Sequence, residues 1–397
     1  MKKYNVLVVG KDGMLGSEVY RYFTEVSKEK GSCINTVWGT TIKDLDIAEY
    51  GAVSAMFGNE KSRLPDIVIN CAAYTNTAEC GNMTGGYQTS YRANVLGPQY
   101  LARACAFRKI KLIHISTDYV YSQFAGKELD YYHEFPANIY GCHKLLGEKM
   151  IQLEYANQPK NLLICRTSWL FGPNSNNKTF ISKFLLNCYK TLADQYIKDT
   201  AEHDVSAEGY TVSIPVQINT AGRPTSTWFL SSFILNAIET KLYGICDAQQ
   251  QTTAIAGNHI DAPTSRYQFA QVILEWIQNV KLEDEFIEPY MLAQHLQLKE
   301  FTIDKAKSQS EVIHPTQVPS MMTIQPHSRY KKYRECIEGA KTWESHVAAF
   351  LVREMKSNII PWIKGLLTPE QRGAIAEIRH SYHEDGPSSD SQKKFAV

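Results

Sequence analysis

Through the first 165 residues, short apolar runs alternate with longer segments of mixed polarity. Asn5–Val9, Asp66–Asn70, Lys111–Ile115 and Asn161–Cys165 are of strand length and rich in β-branched residues, and Cys33–Trp38 is a fainter run of the same kind. Helix-length stretches lie between them: Met14–Glu29, Ala48–Gly58, Gly86–Arg108 and Tyr140–Ala156. Short strands that are apolar on both faces need cover on both faces, the condition of a parallel sheet layered with helices. Crossovers between parallel strands are right-handed. The pattern therefore predicts an α/β fold with a doubly wound parallel sheet of the Rossmann kind.

From Trp169 the rhythm breaks, which predicts a smaller α+β lobe. Asn174–Asn177 reads as a loop, and the polar stretch Thr191–Tyr210 as an inserted excursion. Ser226–Thr240 and Tyr267–Val280 read as helices. Beyond Phe350 an extension follows: Ser357–Ile363 contains Pro361, Thr368–His380 has helical character, and Gly386–Lys394 has the Pro/Ser/Asp/Lys composition of a disordered tail. The expected division is 1–168, 169–352 (part of it returning to the sheet) and 353–397.

Composition narrows the class. A chain of 397 residues is long for one core and favours two lobes. Hydrophobic residues make up 44% and charged residues 21%, a globular balance. A formal net charge of +1 gives no field that would draw nucleic acid or a membrane surface. The opening MKKYNVLVVG reads as a strand, too short an apolar run for a signal segment, and no stretch reaches the length of a membrane span. The nine cysteines are odd in number and form no CxxC pair, so buried thiols in a reducing, cytoplasmic setting are expected, with no zinc cluster.

Three constellations carry chemistry. Val9-Gly10-Lys11-Asp12-Gly13-Met14-Leu15-Gly16 follows a strand and opens a helix. Glycines there permit a tight turn and let a pyrophosphate approach the helix N-terminus, whose free N–H groups and dipole favour an anion. The end of the second strand, Val37–Thr41, lacks the acid that would hold an NAD ribose, and Lys11 reads equally as a partner for a 2′-phosphate or as a solvated lysine. NADPH is therefore favoured over NADH. Second, Asn70–Thr75 ends a strand with small residues that would let a cofactor ribose lie close.

Third, Ser116-Thr117-Asp118 ends a strand, and Tyr140 and Lys144 follow at i and i+4 on one helix face. An ammonium about 4 Å from a phenol, at an effective dielectric near 20, contributes roughly 4 kcal/mol. That would bring the phenol down by about 3 pKa units, into a useful range for an acid. With the Thr117 hydroxyl orienting a carbonyl, the set has the makings of a carbonyl-reduction site. His143 and Cys142 read as bystanders.

On these motifs the chain resembles the extended short-chain dehydrogenase/reductases and, within them, the dTDP-4-dehydrorhamnose reductase family. The matching pieces are GKDGMLG, LDIAEYGAV (45–53), PDIVINCAAYT (65–75), ANVLGPQYLA (93–102), ISTDYVY, NIYGCHKLLGEK (138–149), ICRTSWLFG (164–172) and, more faintly, GRPTST and TSRYQFAQVIL. They run in family order to about residue 352. The resemblance implies a catalytic trio of Thr117, Tyr140 and Lys144. It implies a cofactor site of Gly10, Lys11, Gly13, Met14, Leu15, Gly16, Asp46, Ile47, Ala72, Ala73 and Tyr74, shared with Tyr140 and Lys144. It also implies contacts of Thr117, Asp118 and Trp169 with a nucleotide-sugar substrate. The implied reaction is reduction of the 4-keto group of a dTDP-linked 6-deoxyhexose by NADPH (or NADH). The family leaves room for a divalent metal and a homodimer, neither indicated by any motif.

Related dehydratases carry an acid pair after the threonine; Tyr119 occupies the second position here, which disfavours dehydration. Departures at Thr77-Ala78-Glu79 and Asn219-Thr220-Ala221 bear on the substrate rather than on the reduction. Two alternatives stand: a non-catalytic NADP-binding subunit resembling the β subunit of methionine adenosyltransferase, and a reductase or epimerase of another nucleotide sugar.

Overall fold

The computed structural model describes residues 3–58, 64–120, 134, 136, 138–167, 170–172, 179–217, 225–241, 243–247, 296–301, 347, 350–351 and 353–384. The chain divides into two compact units. The first comprises Met1–Asn174, Asn219–Ser265 and Asp304–Val347, the second Ser175–Ile218, Arg266–Ile303 and Ala348–Val397. Both are built from separate stretches of chain; the sequence pattern suggested consecutive segments, with part of 169–352 returning to the sheet.

The first unit holds a six-stranded sheet in the order β2-β1-β3-β4-β5-β9. Its strands are β1 (Tyr4–Val9), β2 (Ile34–Thr40), β3 (Ile67–Asn70), β4 (Lys111–Thr117), β5 (Leu162–Thr167) and β9 (Gly244–Asp247). Every pairing is parallel. The chain moves from β1 to β2 on one side and then to β3 on the other. The carboxyl ends of β1 and β3 therefore flank the switch point where open α/β sheets bind ligands. β9, drawn from the later half of the chain, carries too weak a pattern in four residues to stand out in the sequence.

Strand alternation divides the core. Val6, Val8, Ile67, Ile69, Ile113 and Ile115 face one layer with α1 (Met14–Ser27) and α7 (Thr227–Thr240). Leu7, Val9, Val68, Leu112 and Ile164 face the other with α2 (Tyr50–Gly58), α4 (Gly97–Phe107) and α5 (Ile139–Glu154). Neighbouring residues thus serve opposite layers, as the two-residue period of a strand requires. In α1, Leu15, Val19, Tyr22, Phe23 and Val26 are buried at helical spacing. Full burial of such a side chain contributes roughly 1.5–3 kcal/mol.

The single helix expected over Gly86–Arg108 is α3 (Gly86–Tyr91), a π-helical turn over Arg92–Leu96, and α4. The turn buries Asn94 and Val95, and its cause lies in the contacts of Asn94 described below.

In the second unit the excursion expected over Thr191–Tyr210 is corrected. Residues up to Glu202 belong to α6 (Phe180–Glu202). Ile181, Leu185, Cys188, Leu192 and Tyr196 form a buried stripe at steps of four and three, and the charged opposite face had masked it. Thr179 caps α6 by accepting from the Ser182 N–H at 3.0 Å. β7 (Val212–Gln217) pairs in parallel with β10 (Leu296–Phe301). In the first unit β6 (Leu170–Phe171) pairs with β8 (Thr225–Ser226).

The extension forms a π turn over Met355–Ile359, then α8 (Ile360–Leu366) and α9 (Pro369–Glu384). Thr368 and Gln371 cap α9 reciprocally, each backbone N–H donating to the other's side chain. Gln371 also donates to Asp194 of α6 at 2.7 Å. Asn174–Asn177, Tyr267–Val280 and Gly386–Lys394 lie outside the described residues.

Candidate active site

The site grows from two strand ends in the first unit. At the end of β1 the chain turns sharply through Gly10, whose φ of +78° suits glycine, and a β-carbon there would lie 2.9 Å from the Ala72 nitrogen. A β-carbon on Gly16 would lie 2.0 Å from the Gly10 carbonyl oxygen. Gly13 begins α1, and no side chain caps that terminus. Met14, Leu15 and Gly16 form the first turn, so their N–H groups present an anion-binding cradle of the shape a pyrophosphate needs. The residues present thus fit a dinucleotide.

Lys11 lies across the end of β2. Its N–H donates to the Thr40 carbonyl at 2.9 Å, and its side chain fills the space a β-carbon on Gly39 would need. Its ammonium is 5.7 Å from the Tyr20 ring centroid. Asp46 accepts from the Ala48 N–H at 2.9 Å, a local turn, and Ile47 is buried against Gly97. The side chains expected beside the adenine are thus engaged within the protein.

Past β3, the Ala72 N–H donates to the Asn70 side-chain oxygen at 3.1 Å. Ala73 is exposed. Tyr74 is held by Asn94 through a reciprocal pair: the Tyr74 N–H donates to Asn94 Oδ1 at 3.0 Å, and Asn94 Nδ2 donates to the Tyr74 carbonyl at 2.9 Å. The π turn is what aims Asn94 at this loop, a use of helix irregularity common near functional sites.

The second strand end brings the expected trio together. Thr117 closes β4; its hydroxyl donates to Asp118 Oδ1 at 3.1 Å and accepts from the Tyr119 N–H at 3.2 Å. Asn138 caps α5 by accepting from the Gly141 N–H at 2.8 Å, which starts the helix one residue before Tyr140. A β-carbon on Gly141 would lie 2.2 Å from the Tyr119 carbonyl, so glycine lets α5 press onto the Asp118–Val120 turn. Tyr140 thereby comes beside Thr117 and meets the Tyr119 ring edge-on at 5.8 Å.

One turn along α5, Lys144 is 1% exposed. Its amine lies 2.8 Å from the Ile115 carbonyl and 3.3 Å from His114 Nε2. Glu148, a further turn on, is fully buried and paired with the buried Arg166 of β5. That contact joins two motifs, GE and RTS, that stand apart in the sequence.

The electrostatics correct one expectation. Burial first, then the Asp118 carboxylate, push the Tyr140 phenol well above its ordinary value; the neighbouring Thr117 hydroxyl pulls the other way. Burial lowers Lys144 to about 8, with Glu148 opposing. The expected depression of the phenol is therefore not the state of the protein by itself, because the amine reaches into the sheet toward Ile115 and His114. Asp118, expected to touch substrate, is fully buried against Thr117. Trp169 lies outside the described residues.

His143 sits in the core, its Nδ1 2.9 Å from the Ser90 hydroxyl. Among the described residues no group of three or more His, Cys, Asp or Glu could hold a metal. Sequence reasoning gave no role to Asn70, Asn94, His114, Glu148 and Arg166. The available signal was polar residues set within apolar strands and helix faces.

A family model described as the RmlD substrate binding domain matches residues 4–337. The spore coat polysaccharide biosynthesis protein SpsK of Bacillus subtilis is 33% identical over 220 residues, covering 50% of this chain and 67% of that protein. A dTDP-4-dehydrorhamnose reductase of Mycolicibacterium smegmatis is 34% identical over 171 residues, 42% of this chain and 46% of that one. The chain thus spans about half the length of that reductase. The dTDP-4-dehydrorhamnose reductase of Bacillus anthracis, solved in complex with NADP, has a TM-score of 0.55 at 21% identity. That likeness covers 88% of this chain and 99% of the other, and shows the fold.

Proposed function

Because the chain belongs to the RmlD substrate-binding-domain family, we propose that it is an NADPH-dependent reductase of the 4-keto group of a nucleotide-linked 6-deoxyhexose, in the first instance dTDP-4-dehydrorhamnose. The observation that carries this reading is the meeting of Thr117 and Tyr140 at the end of β4, one helical turn from a buried lysine. The names of the relatives support the substrate class. The NADP bound by a structural neighbour supports the cofactor.

The nicotinamide, when bound, supplies the hydride that adds to the carbonyl carbon. The chain's own residues do the rest. The α1 terminus with Gly10, Gly13 and Gly16 holds the pyrophosphate, and Lys11 at the end of β2 offers a cation to a 2′-phosphate. Thr117 orients the carbonyl. Its hydroxyl has one proton, so release from Asp118 is what frees it to donate to a substrate oxygen. Tyr140 gives its phenolic proton to the oxygen as the carbonyl bond becomes an alcohol. Its raised pKa keeps it protonated until a positive charge at Lys144 makes the transfer feasible. Cys33, Cys71, Cys80, Cys105, Cys142, Cys165 and Cys188 form no disulfide. Among the described residues no helix is long and apolar enough to cross a membrane.

The test is oxidation of NADPH at 340 nm with dTDP-4-keto-6-deoxyhexose, wild type against Tyr140→Phe. Turnover in wild type that the variant lacks supports the reading. Tight NADPH binding without turnover overturns it in favour of a non-catalytic NADP-binding subunit.

A further inference from the structure

Behind the site runs a buried chain of polar groups with a fixed direction. The Ala72 N–H can only donate, so the Asn70 oxygen faces it, at 3.1 Å. The Asn70 amide nitrogen is then turned to His114 Nδ1, at 3.1 Å. An amide NH2 also only donates, so Nδ1 must accept, and a neutral imidazole that accepts at Nδ1 carries its proton on Nε2. His114 is fully buried, and burial followed by Lys144 holds it far below its ordinary pKa, so it stays neutral. The Nε2–H points at the Lys144 amine, 3.3 Å away. An ammonium has no lone pair to receive it; a neutral amine does, and can still donate to the Ile115 carbonyl at 2.8 Å. Reversing the amide would only move the donor–donor conflict to Ala72.

We propose that Asn70 and His114 are positioning residues that hold Lys144 as an uncharged hydrogen-bond acceptor in the free protein, and that NADPH binding draws a proton onto it. The inference rests on the cofactor reading above. The groups facing the amine are His114 from β4, Cys71 at the end of β3, and Glu148 on α5 itself. The Cys71 thiol is raised by burial to about 12 and stays neutral at working pH. Glu148 favours the ammonium but is engaged by Arg166. The free protein thus opposes the charge, and a cofactor whose ribose hydroxyls accept from Lys144 supplies the compensation. Above about pH 8 the phenol of Tyr140 gains its cationic neighbour only when the reductant is in place, which there restricts proton transfer to the loaded site.

The experiment is calorimetric titration of the full chain with NADPH at pH 8.5, in buffers of different ionisation enthalpy. At that pH the 2′-phosphate is already a dianion and contributes no proton. The expected result is uptake of about one proton per cofactor, and a Kd that weakens by up to about tenfold per pH unit above about 8. Asn70→Asp supplies an acceptor to both neighbours, letting Nδ1 carry the proton and Nε2 accept from an ammonium. In that variant uptake falls toward zero while NADPH still binds. Uptake unchanged in Asn70→Asp, or no uptake in wild type, overturns the proposal. Failure to bind NADPH at all overturns the cofactor reading instead. If Asn70→Asp does not fold, long-range proton–nitrogen NMR of histidine-labelled wild type decides. A non-titrating histidine protonated at Nε2 is expected, and His114 protonated at Nδ1 overturns the chain.

Discussion

The two strand ends that make the site are built in opposite ways. At the end of β1 the working groups are backbone N–H groups, and the residue types matter through what they lack: Gly10 and Gly16 have no β-carbon where one would strike Ala72 or the Gly10 carbonyl. At the end of β4 the working groups are side chains, and what matters is which protons they carry. Thr117, Tyr140, Lys144 and His114 are all buried, and Lys144 lies within hydrogen-bond distance of His114. The first end is a matter of shape and the second of charge. A substitution at the first should therefore act on binding and folding together. One at the second can abolish chemistry while the cofactor still binds.

The largest expected effect lies at the second end. Tyr140→Phe removes one hydroxyl and should lower kcat by about 10²–10⁴-fold, with NADPH affinity nearly unchanged by fluorescence titration. A comparable loss of affinity would erase the contrast. Gly16→Ala tests the first end. Forcing a β-carbon to 2.0 Å from a carbonyl oxygen should cost about 1–3 kcal/mol of stability by denaturant unfolding and weaken NADPH binding along with it.

A change of pH separates the ends without any substitution. In the proposed mechanism Lys144 acts as a cation, and burial lowers it to about 8, so kcat/KM should hold below that value and fall about tenfold per unit above it. The glycine cradle has no titrating group and predicts no such limb. The smallest effect is expected from Lys11→Ala. A half-buried cation at the protein surface beside a phosphate is worth about 0–1 kcal/mol, so NADPH affinity should fall by no more than about fivefold, with NADH unaffected.

The contrast also explains what could be read in advance. Glycine spacing after an apolar strand signals the first end directly, since the steric demand is local to β1 and α1. Thr117, Tyr140 and Lys144 were legible because a strand end and an i, i+4 pair are local too. Asn70, Asn94 and His114 were not. Each looks like a stray polar residue in an apolar element, and its partner lies 20 or more positions away: Tyr74 for Asn94, His114 for Asn70, Lys144 for His114. The predicted fall in the phenol's pKa failed for the same reason. The spacing put Lys144 on the face of Tyr140, but the amine's direction was set by a strand acceptor outside that helix. In the second unit the polar face of α6 concealed its buried stripe, and neither the helix nor its capping threonine was expected.

By itself the sequence determined the period of each element, and with it the parallel sheet, the two-layer core, the glycine turn and the placing of Thr117, Tyr140 and Lys144 near one strand end. These follow from local sterics and from the alternation of apolar residues, which any short window displays. Tertiary structure decided the protonation. Which nitrogen of His114 carries hydrogen, and whether Lys144 is a donor or an acceptor, depends on a backbone N–H at residue 72 brought beside β4 by the β3–β4 pairing. Burial at that depth removes the water that would otherwise satisfy either arrangement, so the direction of the hydrogen bonds becomes a property of the fold.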